Sequence, residues 1–373
     1  MKKQFSVFLA CLLVFFLSIP GQADQVKVKT VDGVQVIENS KRPAPPEGTL
    51  SKMTLKEEIS VGHGEFDEDM FADLTSLDVD GDGNIYILDR KDKKVKIFDS
   101  AGKFVKKFGE EGQGPGEMYV PVSIQITHNN EIVIGDAGNQ RLAFFSLEGE
   151  FLREMSTAAK AFALALPLID SQGDIIGQQL VTGENQLLRE VRKYDSELNS
   201  LFTIASIDNT NMIQGKINPF QVVLFYQLGK ENSIYISNPD AYEIKVLTAE
   251  GKLLRRILKD YDPVEVTNKD KEDFFERLPD LVGPIKDRIE FPKNYPAYQN
   301  FTLDEEWRLF VRTFEKGKEE GEFFFDVFDV EGRYIAKIPF KGDPRVWKGN
   351  KLFAIEEDED GFQILKIYSV HWE

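Results

Sequence analysis

Three aspartates at alternating positions form the sharpest candidate for a metal site in the chain. Asp78, Asp80 and Asp82 match the beginning of a calcium-binding loop, and Asp89 stands at the twelfth position of that loop. Residues 85–88 are apolar and should be extended, which would carry Asp89 about 13 Å away at roughly 3.3 Å per residue. The sequence therefore favours a strand turn built on Asp and Gly. A weaker calcium site made by the first three aspartates alone is the alternative.

Other groups that could do chemistry are few. The chain has three histidines, His63, His128 and His371, whereas a catalytic zinc uses about three protein ligands. It has no Gly-x-Ser-x-Gly elbow, no Gly-Lys-Ser/Thr phosphate loop and no cysteine pair. The glycine run at residues 112–116 is better explained as a connection between strand units, because a strand and not a helix should follow it. No catalytic and no cofactor-binding residue is predicted.

Two pairs of opposite charge are predicted to bridge the loops between second and third strands: Asp136 with Arg141, and Asp89 with Lys94. The three tryptophans are interpreted as packing residues rather than as a platform for sugar rings. The acidic run at residues 356–361 is interpreted as a solvated loop.

The N-terminus has the pattern of a secretory signal. Lys2 and Lys3 precede an apolar run at residues 5–19, and small residues up to Ala23 predict a signal peptide of residues 1–23, removed after Ala23. A lipoprotein signal around Cys11 is the weaker alternative. Cys11 is the only cysteine, so the mature chain would contain no disulfide. The expected location is the periplasm or the cell exterior.

The composition indicates a folded and acidic protein. The 373 residues are 42% hydrophobic and include 29 Phe, which is too apolar for disorder. The formal net charge of −17 becomes −19 when the two signal lysines are removed. A mature chain this acidic repels nucleic acid and anionic lipid.

The aspartates at positions 78 to 89 lie in a four-stranded unit that the chain repeats. In the first copy, strands at 74–79, 85–88 and 95–98 and an alternating strand at 103–108 are separated by turns. The end of the third strand and the turn after it recur with spacings of 47, 49, 53 and 81 residues, at Phe98, Phe145, Tyr194, Leu247 and Phe328. A sixth, weaker copy at residues 352–355 and 364–368 lacks its fourth strand.

The missing strand is predicted from the N-terminal side. Residues 55–62 precede residues 102–109 by 47 positions, in the register of an edge strand. A ring that takes its last strand from the N-terminus has no open blade. The sequence thus predicts an all-β, six-bladed β-propeller over residues 51–373, preceded by an arm and Pro-rich linker at residues 24–50.

Two smaller elements are predicted outside the blades. Asp32-Gly33, within the valine-rich arm, favours a tight hairpin. Thr267 and Asp270 form a capping box, which predicts that a short helical insert occupies about residues 267–289 and accounts for the spacing of 81.

Several motifs resemble the repeat of NHL-type six-bladed β-propellers: the segment 80–87, the glycine run that leads into Pro121, and the segments 136–141 and 148–151. The layout as a whole resembles secreted bacterial six-bladed propellers. Propellers similar to gluconolactonase or strictosidine synthase place Glu, Asn and Asp around a central channel with calcium, and Asn218 is a candidate here. Peptide-amidating lyases of this fold hold zinc through several histidines, which three scattered histidines do not provide.

The long loops indicate which face of the ring binds a partner. In a propeller, the loops between blades and those between second and third strands leave on one face, and the long segments 205–218, 261–300, 181–190 and 315–322 all belong to these classes. Binding residues concentrate on loops carried by a rigid scaffold, although drift in unconstrained loops would also lengthen them. The first hypothesis is a non-enzymatic binding or scaffold module for a protein, peptide or glycan, with no nucleic-acid partner and no membrane span. The alternative is a calcium-dependent hydrolase or lyase of the gluconolactonase/strictosidine-synthase-like class.

Overall fold

A computed structural model describes residues 26–62, 70–158, 164–213, 215–220, 223–238, 241–276 and 286–373. The predicted signal peptide with Cys11 and Ala23 lies outside these residues, and so do His63 and residues 277–285 of the predicted insert. In the part of the chain that is described, no helix has the length and apolar composition needed to cross a bilayer.

The strands follow one another in groups of four after an N-terminal arm. The first ten are β1 (Lys27–Val31), β2 (Val34–Asn39), β3 (Met53–Val61), β4 (Leu74–Val79), β5 (Ile85–Asp89), β6 (Lys94–Phe98), β7 (Phe104–Phe108), β8 (Glu110–Glu111), β9 (Glu117–Met118) and β10 (Pro121–Ile126). The next nine are β11 (Glu131–Asp136), β12 (Arg141–Ser146), β13 (Phe151–Ser156), β14 (Ala165–Ile169), β15 (Ile175–Thr182), β16 (Leu187–Tyr194), β17 (Ser200–Asp208), β18 (Tyr226–Leu228) and β19 (Ile234–Asn238). The last nine are β20 (Glu243–Leu247), β21 (Leu253–Lys259), β22 (Asn300–Leu303), β23 (Leu309–Lys316), β24 (Glu322–Phe328), β25 (Tyr334–Lys341), β26 (Asp343–Lys348), β27 (Lys351–Glu357) and β28 (Gln363–Trp372). Two helices are α1 (Thr210–Ile213) and α2 (Asn268–Glu276).

The strands form six antiparallel blades, as the repeat predicts. Blades 1 to 5 are β4–β7, β10–β13, β14–β17, β18–β21 and β22–β25, and blade 6 has the order β26-β27-β28-β3. Each of the five repeat positions, from Phe98 to Phe328, lies at or next to the end of a third strand. The buried apolar residues form clusters that each join two neighbouring blades, the last of them joining blade 6 to blade 1. The ring is therefore closed by packing as well as by hydrogen bonds.

The N-terminal strand closes the ring in the predicted register. β3 pairs antiparallel with β28, with Val61 opposite Leu365 and Leu55 opposite Val370. Glu373 exchanges backbone hydrogen bonds with Lys52, and this places the C-terminal end of β28 beside the start of β3. Blade 6 is complete only because both ends of the described chain contribute to it.

The arm forms the predicted hairpin, but its docking site could not be foreseen. Asp32 and Gly33 both have positive φ, and β2 pairs parallel with β21, so the arm extends blade 4 to six strands. Asn39 then donates to Leu258 O and Gly332 O and accepts from the backbone N–H of Tyr334. The Pro-rich linker donates once more to Tyr334 O on its way to β3. The N-terminal segment thus runs as a belt along the outer edges of blades 4, 5 and 6.

The glycine in the repeated turn between third and fourth strands has a physical cause. Gly102 has φ of 79°, and a Cβ atom there would approach Ile59 of the preceding blade to 2.5 Å. Gly149 meets Phe108 of its preceding blade at 2.4 Å in the same way. In blade 3 a leucine, Leu198, occupies the corresponding turn with φ of 61°. This close approach between blades explains why the sequence signature ends in Gly.

Within the described residues, the predicted helical insert contains α2. α2 begins after Thr267, and Asp270 accepts hydrogen bonds from the Thr267 hydroxyl at 2.7 Å and from its N–H at 2.9 Å, which confirms the capping box. The Asp270 N–H donates back to Thr267 Oγ1 at 3.2 Å. The carboxylate also binds Lys316 Nζ at 2.8 Å, and this ties the helix to the end of β23.

Candidate functional site

The three aspartates of the first turn point to three different environments. Asp80 is buried, and its carboxylate accepts hydrogen bonds from the N–H groups of Asp82 and Asn84 and from the hydroxyl of Tyr86. Asp82 is exposed, whereas Asp78 faces the centre of the ring. Within the described residues no group of three or more His, Cys, Asp or Glu side chains could hold a metal ion together. This geometry favours the turn interpretation.

The same aspartate cap recurs around the ring. Asp170 and Asp304 hold the corresponding turns of blades 3 and 5, and each accepts from the N–H groups two and four residues later. An Asp side chain that replaces a backbone acceptor stabilises such a turn. The Asp-rich pattern in the sequence is thus explained by a repeated structural role.

Asp78 belongs to the central channel, a cavity of ≈ 470 Å³ lined by the inner strands of all six blades. Inner strands of adjacent blades lie side by side, and polar side chains connect them. Asp78 accepts the N–H of Ile126 at 2.7 Å, and Gln125 both donates to Ile169 O and accepts from Ile169 N. These channel side chains are therefore already engaged in holding neighbouring blades together.

The Asp78 carboxyl gives the channel a pH-dependent element. Burial raises its pKa to about 6, against the opposing effect of the N–H groups of Ile126 and Val79. Because the pKa in the fold lies above the usual 3.8, the folded state holds the proton more tightly. The contribution of the protonated Asp78 to the free energy of unfolding is complete below pH 3.8 and is lost as the pH rises to about 6.

We expect the Asp78→Asn substitution to remove this component. The wild-type protein should lose about 1–3 kcal/mol more free energy of unfolding between pH 4 and pH 7 than Asp78→Asn does. Melting curves across this range measure the difference. Asp82→Asn, an exposed position in the same turn, is the control and should follow the wild type. Parallel pH profiles for wild type and Asp78→Asn would contradict the expectation.

The prediction of the two loop ion pairs is wrong, because the four side chains bind other partners. Asp136 and Arg141 are opposite one another in the sheet, but Asp136 accepts from the N–H groups of Tyr119 and Val120, whereas Arg141 binds Glu154. Arg141 also donates to carbonyl groups of the crossover, among them Gly114 O and Glu117 O. Both side chains therefore anchor the connection that leads into blade 2.

The counterpart in blade 1 differs in the same way. Lys94 donates to Gly109 O, and the cation beside Asp89 is the buried Lys96 at 3.3 Å. Asp89 also accepts from the N–H groups of Ala72 and Asp73. The carboxylate of Asp89, at the end of β5, thus holds the segment that leads into β4 of the same blade.

The remaining sequence candidates lie in separate places. His128 is exposed in the first turn of blade 2 and His371 is exposed in β28. Trp347 is buried and stacks on Phe310 at 4.2 Å, as expected of a packing residue. The acidic run is solvated only in part, because Glu356 is 7% exposed and bonds to Tyr368 and Lys366. The glycine run forms the blade crossover between β8 and β9, as predicted.

The four long segments meet on one face of the ring, which is called here the loop-bearing face. Two of them are partly strand, since β15 and β16 extend to a turn at residues 183–186, and β23 and β24 to a turn at 317–321. Thr210 accepts from the N–H of Leu187, Ile217 bridges to Ile289 with bonds to Arg288 O and Glu290 N, and Lys316 binds Asp270. Each of the four segments therefore contacts the next.

Aromatic rings fill the centre of this contact. Phe220, from the connection between blades 3 and 4, packs on Tyr295 at 4.6 Å and on Phe291 at 5.7 Å. Tyr295 stacks on Phe314 of β23 at 4.3 Å. Phe274 of α2 joins the same cluster. The long connections are thus held by a small apolar core of their own.

Two cavities open beside the long segments. One, of ≈ 660 Å³, lies between blades 3 and 4 and is lined by Phe220, Tyr295, Asn218, Asp208 and Lys245. Lys245 is half-buried there. Asn218 accepts the N–H of Phe220, so it caps a turn at the edge of this cavity and lies away from the channel.

The second cavity, of ≈ 670 Å³, lies between blades 5 and 6 and is highly charged. It shares Asp343 and Arg345 with the central channel, so the channel and this cavity meet at the start of β26. Arg345 binds Asp343 at 2.8 Å, and Arg312 approaches the same carboxylate at 3.5 Å. Nothing in the repeat pattern pointed to these arginines, because they come from different blades.

Comparison with known proteins agrees with this architecture. Among curated proteins, the chain is 32% identical over 68 residues to the E3 ubiquitin-protein ligase NHLRC1 of Homo sapiens, which covers 18% of this chain and 17% of that protein. The chain thus matches less than a fifth of the length of that relative. The stretch of similarity agrees with the resemblance to NHL-type repeats.

Two solved structures from Bacteroides share the fold over most of their length. A "Putative exported protein" of Bacteroides fragilis superposes with a TM-score of 0.57 at 12% identity, covering 91% of this chain and 99% of that one. A member of the DUF4221 family from Bacteroides vulgatus superposes with a TM-score of 0.55 at 10% identity, covering 87% and 100%. Identities this low show a common fold alone.

A family model described as "6-bladed beta-propeller", DUF5128, matches residues 70–259, about half of the chain. These residues are blades 1 to 4 of the ring described above. The chain therefore belongs to the DUF5128 family of six-bladed β-propellers.

Proposed function

We propose that this protein is an exported, non-enzymatic binding module that holds a protein, peptide or glycan ligand on its loop-bearing face. The observation that carries the proposal is the interlocking of the four long segments. Insertions that drift without constraint have no reason to bond to one another, whereas these share backbone bridges, an ion pair and an aromatic cluster. An ordered loop surface on a rigid ring is the usual construction of a binding site.

The cavities support the same proposal. Two cavities of ≈ 660 and ≈ 670 Å³ open beside the insert, and sites for small ligands usually occupy 300–1,000 Å³. The turns on the opposite face, such as Asp80–Asn84 and His128–Asn130, are short. A cavity beside the turn at Asp304 on that face is smaller, at ≈ 200 Å³. The loop-bearing face therefore offers the two cavities of suitable size.

A loop deletion with a matched control tests the proposal. Replacement of residues 263–297 by an eight-residue Gly/Ser connection removes the insert, and other blades are joined by connections of similar length. Wild-type protein should bind members of a peptide and glycan array, and the deletion variant should lose these ligands while it keeps a cooperative melting transition. Replacement of the exposed turn His128–Asn130 by Gly-Ser-Gly is the control and should preserve binding. Ligands that the deletion variant still retains would contradict the proposed face.

Export rests on the signal sequence, and the described relative from Bacteroides fragilis is consistent with it. The mature protein recovered from the periplasm or the medium should begin at Asp24. An N-terminus that retains Lys2 would count against export by this route.

The calcium-dependent hydrolase or lyase remains the alternative prediction. Its discriminating measurement is the effect of a chelator on the melting temperature and on the hydrolysis of a lactone panel. Hydrolysis that disappears on chelation would favour the enzyme over the binding module.

A further inference from the structure

The cavity between blades 5 and 6 contains an excess of positive charge at its inner end, in a protein that is acidic overall. Arg312, on β23, and Arg345, on β26, converge on a single carboxylate, that of Asp343. Two guanidinium groups and one carboxylate leave a net charge of about +1. Arg345 already binds Asp343 at 2.8 Å, whereas Arg312 lies 3.5 Å from it, beyond a good hydrogen bond.

Arg312 is poorly compensated by the chain itself. Its side chain is 15% exposed, and its buried Nε has no hydrogen-bond partner among the described residues. The guanidinium packs over the ring of Phe323 at 4.7 Å, which fixes its plane. Burial lowers the pKa of Arg312, the carboxylate of Asp343 opposes this effect, and the charge of Arg345 lowers the pKa further. A buried cation in this situation gains from any additional anion that can reach it.

The carboxylates around the cavity do not supply that anion. Glu356 is bonded to Tyr368 and Lys366, and Glu322 accepts the backbone N–H of Lys318 at 2.6 Å. Asp273 is paired with Lys269. The other carboxylates that line the cavity are exposed at its rim: Glu319, Glu320 and Glu357. The inner end is therefore left to the two arginines.

We propose that Arg312 and Arg345 bind the oxyanion group of a small hydroxylated ligand, either a carboxylate or a phosphate, that enters from the loop-bearing face. Planar guanidinium groups recognise such oxyanions through paired N–H···O bonds. The volume of ≈ 670 Å³ suits a small molecule, and the polar rim suits its hydroxyl groups. This proposal rests on the proposed binding function and names the chemistry of one of its ligands.

Calorimetric titration with three sugars of the same ring size tests it. Glucuronate carries a carboxylate, glucose 6-phosphate carries a phosphate, and glucose carries neither. At least one charged sugar should bind saturably, with an affinity that falls as ionic strength rises, and glucose should bind at least about tenfold more weakly. Which charged sugar binds identifies the type of oxyanion.

The variants separate the arginines from general charge. Arg345→Gln removes a partly exposed side chain and should leave the melting temperature near that of the wild type, while the Kd of the charged sugar rises roughly 10- to 100-fold. Arg312→Gln combined with Arg345→Gln should abolish binding. Arg153→Gln, on the outer strand of blade 2 and paired with Glu131, removes the same charge elsewhere and should have no effect.

Two results would overturn the inference. One is the absence of saturable binding for both charged sugars, and the other is equal binding by wild type and the folded Arg345→Gln variant. Neither result decides the proposed function, because array ligands that depend on the insert but not on the arginines would sustain the binding module and remove only this site.

Discussion

A chain that begins at residue 63, and so lacks β3, should fail to form a stable closed ring. β3 supplies the fourth strand of blade 6 and brings Val61 into the apolar cluster between blades 6 and 1. Its removal uncovers Leu365 and Ile367, which are 0% and 1% exposed in the intact fold. Burial of such side chains contributes about 1.5–3 kcal/mol each, against a total stability of roughly 5–15 kcal/mol for a typical domain.

The measurement is thermal unfolding followed by circular dichroism, together with size-exclusion chromatography. We expect the truncated chain to aggregate or to melt without a cooperative transition, since the edge of β28 would also be open for pairing with other chains. A chain that begins at residue 41 is the matched control. It removes β1 and β2 and weakens the outer edge of blade 4, but it leaves the ring closed, so the protein should remain folded.

A circular permutant provides the rescue. Because Glu373 lies hydrogen-bonded beside Lys52, a short turn can join Glu373 to residues 52–62 placed at the C-terminus of a chain that begins at residue 70. The permutant supplies the same strand from the other side and should recover a cooperative transition. If the chain that begins at residue 63 melts like the wild type, closure of blade 6 is dispensable.

The architecture was predictable because its signals are local and repeated. Each blade is an antiparallel meander of neighbouring segments, so turns and alternation in one stretch define its pairing, and five copies can be compared with one another. The closing strand was found by counting, because a sixth unit without its last strand requires a partner. The spacing of 47 residues placed residues 55–62 in the register of an edge strand, and β3 pairs with β28 as such a strand.

The arm shows where such reasoning ends. The hairpin at Asp32-Gly33 is a local signal, but the parallel pairing of β2 with β21 joins residues more than 200 positions apart. A valine-rich hairpin fits any open sheet edge, so its composition does not choose blade 4. Asn39 makes the choice specific through three hydrogen bonds to blades 4 and 5, and a single asparagine gives no signal in the sequence.

The candidate site was predictable as a face but not as residues. Loop lengths indicate the face, since the blade topology determines on which side each loop leaves. The convergence of Arg312, Arg345 and Asp343 depends on the packing of two blades and on an irregularity in β23 after Arg312. Likewise, register placed Asp136 opposite Arg141 correctly, but long side chains reach past their direct neighbours, and Arg141 binds Glu154.

Replacement of Asp326 by Asn should destabilise the protein by about 3–5 kcal/mol, because it leaves a buried lysine without its counterion. Asp326 is 0% exposed and lies 3.2 Å from Lys259 of blade 4. Its carboxylate also accepts hydrogen bonds from the hydroxyls of Tyr242 at 2.6 Å and Tyr334 at 2.5 Å. Burial and the charge of Asp326 raise the pKa of both tyrosines, so they remain donors. Lys259 lies 4.9 Å from the centre of each tyrosine ring, which adds a cation–π contact.

A double-mutant cycle separates the ion pair from simple loss of packing. Lys259→Met removes the cation. In the Lys259→Met background, the Asp326→Asn change leaves no unpaired charge, and the amide oxygen still accepts a hydrogen bond from one tyrosine. We expect the double variant to lose only about 1–2 kcal/mol, so the two single losses should exceed it when added. Urea denaturation at neutral pH gives the four free energies of unfolding.

The control is an exposed pair in the arm. Lys29 and Glu38 are 53% and 40% exposed, and such surface pairs contribute at most about 1 kcal/mol. Lys29→Met and Glu38→Gln should therefore have small and additive effects. If the losses for Asp326→Asn and Lys259→Met also add, the cluster between blades 4 and 5 contributes through packing alone. If the double variant recovers most of the stability, the buried pair is tolerated only because each charge compensates the other.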